Sequence, residues 1–421
     1  MLLIKNIRQI LTLRGGPAPR RAQAMSDLGI IENGAIVVRA ERIAWVGPTR
    51  ELPRQELEAR HETIDAAGLD LVAIPGFVDS HTHPIFAGTR ADEYDLRSQG
   101  KSYQEIAAAG GGIRASVRQL RAASAEYLIN RAERYFLQFL SHGTTTIEAK
   151  SGYGLSLEDE IKSLQVLATL RSRSRLETLS TFLGAHDVPD EMRGARAEYV
   201  RRVVEEMIPR VAQEGLAHFC DVFCDAGYFT VGESRAILLA ARRAGMGLRI
   251  HADQLAHSGG AMLAAELGAL SADHLECIDD RDIKALLEAG TIATLVPGAS
   301  FNLGLSEYPP ARQLIDSGVP VALATDFNPG SCFTLNMQII LSIACSQMKM
   351  TPAEAITAAT LNGACALEMS DRIGSIEAGK QADIVLMNAA DYREIPYFFG
   401  VNLCAMTIKK GYIAVNRLER M

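Results

Sequence analysis

Hydrophobic positions along this chain change their spacing twice. Over residues 1–72, short apolar runs broken by turn residues predict an all-β segment. Glu32-Asn33-Gly34-Ala35-Ile36-Val37-Val38 sets a turn dipeptide before a strand, and Arg42-Ile43-Ala44-Trp45-Val46-Gly47 follows as a second strand. From Gly76 onward, apolar runs of strand length alternate with longer helical stretches. Strands are predicted near 76–82, 143–149, 177–185, 217–224, 247–252, 269–274, 291–296 and 319–325. Eight strands with intervening helices over roughly 290 residues predict a closed (β/α)8, TIM-like barrel with its site at the carboxyl ends of the strands. After helical stretches near 333–348 and 352–366, the segment from Gly374 to Leu386 regains turn-and-strand character. The tail is therefore expected to rejoin the N-terminal strands in one small β-sandwich domain built from both chain termini. The predicted division of this α/β chain is 1–72 plus 370–421 for the small domain and 73–369 for the barrel.

That frame makes residues distant in sequence converge in space. The apolar run from Ala73 to Ser80 ends in His81-Thr82-His83, and period-two geometry points both imidazoles to one side, as half of a metal site would require. The other strand ends carry Glu148 and Lys150, His186, Cys224 and Asp225, His251, His274, Pro297 and Asp326. Five of the nine histidines fall at these ends, a concentration that favours one site over five separate core histidines. His61, His142, His218 and His257 lie in helices, connections or the small domain and are assigned no role. His81, His83, His251 and Asp326 together offer three nitrogens and one oxygen, which suits Zn²⁺ or Fe²⁺ and leaves a position for water. Such an ion lowers the pKa of its water toward neutrality, the basis of hydrolase chemistry. Taken alone, Asp326 in Thr325-Asp326-Phe327-Asn328-Pro329-Gly330 reads as a turn cap; after an apolar strand in eighth position it reads as a ligand and proton shuttle. Lys150 is expected to pair with Glu148 or a neighbouring carboxylate.

Composition narrows the partners. The chain of 421 residues is 48% apolar and 22% charged, ordinary for a globular protein with a large core. Its formal net charge of −7 is spread along the chain, so there is no basic stripe for nucleic acid or an anionic membrane, and a small molecule is the expected partner. Lys5 and Arg8 interrupt the first apolar stretch, and no later run is long enough to span a bilayer, which predicts a cytoplasmic protein. Seven cysteines scattered from Cys220 to Cys404 lack paired metal-binding spacing and suit reduced, mostly buried thiols. Cys220 and Cys224 are expected in the core of a strand.

Pro75-Gly76-Phe77-Val78-Asp79-Ser80-His81-Thr82-His83 and the closing Gly379-Lys380-Gln381-Ala382-Asp383 resemble the amidohydrolase superfamily, in which a barrel-mounted metal activates water. Seven further segments, in order, are similar to its histidine-degradation branch along nearly the whole chain: 86–90, 108–113, 148–154, 182–186, 251–254, 271–276 and 325–331. The resemblance implies opening of the cyclic amide of 4-imidazolone-5-propanoate to N-formimidoyl-L-glutamate, with one Zn²⁺ or Fe²⁺/Fe³⁺ ion per subunit. It matches His81, His83, His251 and Asp326 to the metal ligands. It also matches Arg90, Tyr153, His186, Gln254, Asn328, Gly330 and Ser331 to substrate or product contacts, and His274 to acid–base work. Independently, a propionate needs a cation, which Arg90 supplies in two-pronged form with the Tyr153 hydroxyl beside it. The expected sequence is attack of activated water on the ring carbonyl, with Asp326 taking up a proton and His274 assisting the tetrahedral intermediate.

Two positions depart from the pattern. Gln254 stands at a catalytic position where some relatives carry glutamate, and an amide orients by hydrogen bonds rather than transferring a proton. Pro297-Gly298-Ala299-Ser300-Phe301-Asn302-Leu303-Gly304 replaces an aromatic and arginine-bearing loop of many members, which bears on the shape of the pocket. Phe223-Cys224-Asp225 lacks the lysine that some relatives carbamylate to bridge two metals, so one metal is expected. Two other readings remain: a deaminase of another cyclic nitrogen heterocycle, which the Arg90–Tyr153 clamp argues against, and a non-catalytic scaffold, which the intact ligand set argues against. By analogy with related barrels, a homodimer is expected.

Overall fold

The computed structural model describes residues 1–58, 62–101, 105–106 and 110–418; His61, Ala108 and Ala109 lie outside the described residues. Five strands come from the N-terminal part: β1 (Leu2–Leu11), β2 (Ile30–Arg39), β3 (Arg42–Pro48), β4 (Glu62–Asp65) and β5 (Leu71–Pro75). Eight follow in the middle: β6 (Phe77–Asp79), β7 (Thr144–Lys150), β8 (Glu177–Ala185), β9 (Phe219–Cys224), β10 (Gly247–Ala252), β11 (Ser271–His274), β12 (Ile292–Leu295) and β13 (Val321–Leu323). β14 (Ile384–Asn388), β15 (Cys404–Lys409) and β16 (Tyr412–Asn416) close the chain.

The middle eight pair in sequence order, each parallel to the next, as strand–helix–strand crossovers require. The barrel closes beyond the ends of β6 and β13. There Asp326 N donates to His81 O at 3.0 Å, His83 N donates to Phe327 O at 2.8 Å, and Thr82 pairs with Phe327 in parallel. The closing seam therefore runs between the segments that carry His81, His83 and Asp326. Just below it, the Asp79 carboxylate accepts Thr325 N at 3.0 Å and Thr325 Oγ1 at 2.6 Å.

The remaining strands form one mixed sheet in the order β16-β15-β14-β5-β1-β2-β3, with β4 beside β1. Ile4, Ile7, Ile10, Ile36, Ile384 and Ile408 are fully buried in its own apolar core. The apolar run 71–79, which reads as one strand, serves both sheets: β5 pairs with β1 and β14, and β6 starts the barrel after Gly76. At that changeover a Cβ would collide with the Thr145 side chain, so glycine is required. Asn33-Gly34 is not a turn. It lies inside β2, opposite a stretch where β1 carries an extra residue between Ile4 and Ile7, and Asn33 adopts φ +47°. The dipeptide's tolerance of left-handed backbone serves an irregular ladder instead of a hairpin.

The barrel helices start where their caps say they should. Ser124, Ser156 and Thr230 accept backbone bonds at the N-termini of Ala125–Ser141, Leu157–Arg173 and Val231–Arg243. Along Ala125–Ser141, Leu128, Ala132, Tyr135 and Phe139 recur at helical spacing and are buried in the main core. All seven cysteines are free, with Cys220 and Cys224 buried in β9. No helix among the described residues is long and apolar enough to cross a membrane.

One charged cluster ties the terminal sheet to the barrel. Glu177, opening β8, accepts Lys409 Nζ at 2.8 Å, Gln381 Nε2 at 2.9 Å and Arg372 Nη2 at 2.9 Å, while Lys409 Nζ also lies 2.6 Å from Asp383. Burial works to raise the Glu177 pKa, but Lys409 and Gln381 outweigh it and hold the carboxyl at about 2. A carboxyl depressed on folding stabilises the protein above its unfolded pKa of about 4.3, and that contribution is lost as the pH falls toward 2. Glu177→Gln should therefore lower stability by about 2 kcal/mol at pH 7 and flatten the acid limb of the stability profile between about pH 4.5 and 2. Thermal unfolding followed across that range checks it, and parallel acid limbs in the two proteins would remove the ion pair from the account of stability.

Candidate active site

The five strand-end histidines lie together. Ring centroids are 4.4 Å apart for His81–His251, 5.3 Å for His81–His83, 5.2 Å for His83–His186 and 5.3 Å for His251–His274. Their orientation comes from carboxylates on neighbouring strands. Asp273 Oδ2 lies 2.6 Å from His81 Nδ1, and Asp221 Oδ2 lies 2.9 Å from His251 Nδ1. The Asp273 carboxylate holds the proton on His81 Nδ1 and turns its Nε2 lone pair toward the centre, as outer carboxylates do behind metal-ligating histidines, while the Asp221 carboxylate lies beside the His251 ring.

The inward atoms crowd one point. His83 Nε2 is 3.3 Å from His81 Nε2 and 3.4 Å from His251 Nε2, and Asp326 Oδ1 is 3.6 Å from His81 Nε2 and 3.5 Å from His83 Nε2. Facing lone pairs at these distances repel unless a cation lies among them. A four-coordinate ion with bonds of about 2.0–2.1 Å sets its donors about 3.3–3.4 Å apart, so this donor set fits a divalent metal. His81, His274 and Asp326 form a second group of donors within reach of one another. Burial pushes His81, His83 and His251 down, keeping all three neutral as ligands must be.

Beneath the histidines lies a dry layer of charge that the reading of strand ends missed, Lys150 and Glu148 excepted. Lys150 Nζ sits 2.8 Å from Glu148 Oε1, 2.7 Å from Asp221 Oδ2 and 3.9 Å from Asp273 Oδ2, and all four side chains are fully buried. Arg249, equally buried, donates to Ser80 O and Ala366 O at 2.7 Å and to Asp273 Oδ2 at 3.3 Å. Three carboxylates face two cations, a formal surplus of one negative charge under three neutral imidazoles. That field favours a cation above it. A signal was present in the sequence: Asp221 in Phe219-Cys220-Asp221-Val222 and Arg249 in Leu248-Arg249-Ile250 are charged residues set inside apolar strands.

A cavity of about 730 Å³ opens over this floor, lined among others by His83, His251, His274 and Asp326. Arg90, Tyr153, His186, Gln254, Asn328 and Ser331 line it too, so of the expected contacts Gly330 alone is absent from the wall. Its place is beneath Arg90, where any Cβ would fall on the guanidinium. The Asn328 amide is engaged inside its own loop: Oδ1 accepts Gly330 N and Ser331 N at 2.8 Å, and Nδ2 donates to Asp326 O at 2.7 Å. His186 Nδ1 donates to Gly152 O at 2.9 Å, and burial with the neighbouring His251 holds its pKa at about 3. Gln254 N is held by Asp225 Oδ2 at 2.8 Å. The divergent segment, expected as a loop, is a short helix, Pro297–Leu303; its Leu303 and Leu305 just beyond it complete the wall, while Ser300 Oγ donates to Glu276 Oε1 at 3.1 Å. Glu276 in turn lies 3.8 Å from His274 Nδ1.

His274 and Asp326 have opposed environments. Burial disfavours a charged His274, yet Glu276, Asp326 and Asp273 outweigh it and raise its pKa. Burial raises Asp326 to about 6, with His274 limiting the rise. Both residues adopt left-handed backbone, φ +81° and +51°, conformations that the surrounding hydrogen bonds must hold. The remaining described histidines stay apart: His142 follows a helix, His218 precedes β9, and the half-exposed His257 lies 2.8 Å from Asp282.

A barrel with a buried histidine–aspartate centre at the carboxyl ends of its strands is the architecture of the amidohydrolase family, and residues 72–414 match that family. The chain belongs to it. Within the family its relatives are imidazolonepropionases: it is 52% identical over 395 residues to the protein of that name from Solibacter usitatus, covering 94% of each chain. It is 47% identical to that from Geobacillus kaustophilus, covering 99% of this chain and 98% of the other. Residues 34–55 match an imidazolonepropionase-like composite domain of bacteria. Among solved structures, E. coli guanine deaminase superposes with a TM-score of 0.72 over 99% of this chain and all of its own, at 16% identity. A zinc-bound adenosine deaminase from Xanthomonas campestris gives 0.71 over 99% and 93%, at 20% identity. These two share the fold.

Because Asp273 sets the His81 tautomer, Asp273→Asn should weaken Zn²⁺ affinity by about 10–100-fold while leaving the donor atoms in place. Competition titration against a chromophoric chelator measures it, and wild-type affinity would show that the carboxylate does not orient the ring.

Proposed function

We propose that this protein hydrolyses the cyclic amide C–N bond of 4-imidazolone-5-propanoate to give N-formimidoyl-L-glutamate. The observation that carries this is one cavity holding a divalent-metal donor set on its floor and a buried arginine, Arg90, with Tyr153 on its wall. The imidazolonepropionase relatives supply the substrate that such a cavity fits. His81, His83, His251 and Asp326 are the ligands of one ion, Zn²⁺ or Fe²⁺/Fe³⁺. When bound, the ion supplies Lewis acidity that makes water nucleophilic at neutral pH and polarises the ring carbonyl.

The side chains do the rest. Arg90 and the Tyr153 hydroxyl grip the propionate, a charge-assisted contact contributing about 1.5–3 kcal/mol. His186, with its Nδ1 proton engaged at Gly152 O, offers its Nε2 lone pair as an acceptor for a ring N–H. Gln254 orients the ring by hydrogen bonds. Asp326 takes the proton of the attacking water and passes it to the ring nitrogen as the C–N bond breaks, while His274 donates a hydrogen bond to the developing oxyanion. Asn328, Gly330 and Ser331 act as one loop, with Gly330 leaving the room that Arg90 occupies.

We place the reaction in the cytoplasm and the chain in a homodimer. The exposed apolar run Tyr397, Phe398, Phe399 and Val401 supports such pairing, and a monomeric sedimentation coefficient would overturn it. The reaction itself is tested by incubating metal-analysed protein with freshly generated 4-imidazolone-5-propanoate and following loss of its ultraviolet absorbance. Rapid loss with formimidoylglutamate as product and no ammonia is expected, and His251→Ala should lose both metal and turnover. Ammonia release would point to the deaminase reading instead. In the same assay Gly330→Ala, which displaces the flexible end of Arg90, should raise KM about tenfold with a smaller change in kcat.

A further inference from the structure

Tyr153 sits on a loop with no ladder to hold it. Gly152 has φ +103° and Leu155 φ +52°, so the segment 152–155 belongs to neither a helix nor a strand. Its backbone groups are nonetheless bonded on both sides. Underneath, the Glu160 carboxylate accepts Gly152 N at 3.1 and 3.2 Å, Gly154 N at 2.8 Å and Leu155 N at 2.9 Å. From the outer side, Arg121 donates to Gly154 O at 2.7 Å and to Leu155 O at 3.1 Å. Gly152 O receives His186 Nδ1.

Glu160 is in the first turn of helix Leu157–Arg173, but it does not cap that helix. Ser156 and Asp159 do: Asp159 N donates to Ser156 Oγ at 3.2 Å, and Ser156 Oγ to Asp159 Oδ2 at 3.0 Å. The Glu160 side chain turns away from its own helix and is fully buried. A buried carboxylate is unfavourable unless it is well bonded, and here its partners are the peptide N–H groups of the loop together with the Ser151 hydroxyl just before it.

We propose that Glu160 is a positioning residue for the reaction, fixing at once the Tyr153 side chain and, through the Gly152 peptide, the His186 ring. This rests on the reading of Tyr153 and His186 as substrate contacts. Glu160→Gln is the informative change: one oxygen still accepts from the loop, while the amide NH₂ turns a donor against a peptide donor. Arg90, the metal ligands and His274 are untouched.

The test is a double-mutant cycle of Glu160→Gln and Tyr153→Phe on 4-imidazolone-5-propanoate, with kcat, KM, metal content and Tm for each protein. Expected are full metal content, a KM raised about tenfold in each single variant with kcat changing less, and a double variant no worse than the poorer single. Wild-type kinetics in Glu160→Gln, or single effects that multiply in the double variant, would overturn the proposal. Wild-type kinetics in Tyr153→Phe would instead mark failure of the substrate contact itself, and of the inference with it. Should Glu160→Gln fail to fold, Arg121→Gln loosens the same loop from its partly exposed outer side, and the same cycle with Tyr153→Phe decides.

Discussion

The burial of Lys150 constrains everything above it. An ammonium with no exposure to water must be paired on several sides, and here the partners come from three different strands: Glu148 on its own β7, Asp221 on β9 and Asp273 on β11. Arg249 on β10 adds a second buried cation against Asp273. Removing either cation leaves carboxylates unpaired in a dry core, so the strands are held in one register by electrostatics as well as by backbone bonds. Two of those carboxylates have a second task. Asp273 and Asp221 reach past Lys150 to the Nδ1 atoms of His81 and His251, so the layer that stabilises the barrel floor also borders these imidazoles.

The upper half of the site is built differently. Arg90, Tyr153, Gln254 and the 326–331 loop stand on connections, and the last three are braced by side chains that do not reach the cavity floor: Glu160 under 152–155, Asp225 under Gln254, and Asn328 within its own loop. The floor suits any reaction in which activated water attacks a polarised carbon. Guanine and adenosine deaminases share the fold at 16% and 20% identity, so the barrel does not choose which C–N bond breaks. The choice lies with the loops, which carry the side chains that line the upper cavity.

Much of this was legible in order along the chain. The eight barrel strands fall within a few residues of their expected places because each is a short apolar run between turn signals, and the five strand-end histidines converge because a parallel barrel puts all its carboxyl ends on one face. Lys150 was legible as an ion-paired lysine from Glu148 two residues before it. Asp221, Asp273 and Arg249 were not picked out, since nothing local says that they meet. Asn33-Gly34 misled for a related reason: its left-handed propensity is real, but whether it makes a hairpin or an irregular ladder depends on how β1 pairs opposite it.

The sequence by itself determined the element types, the two-part use of the chain and the donor atoms available for a metal, because these follow from local periodicity and side-chain chemistry. Only the tertiary structure decided which carboxylate faces which imidazole, that the barrel is sealed through the segments carrying His81, His83 and Asp326, and that Gly330 makes room for Arg90. Those are relations between residues as many as 245 positions apart, and they are set by long-range pairing and close packing rather than by any preference of the residues involved.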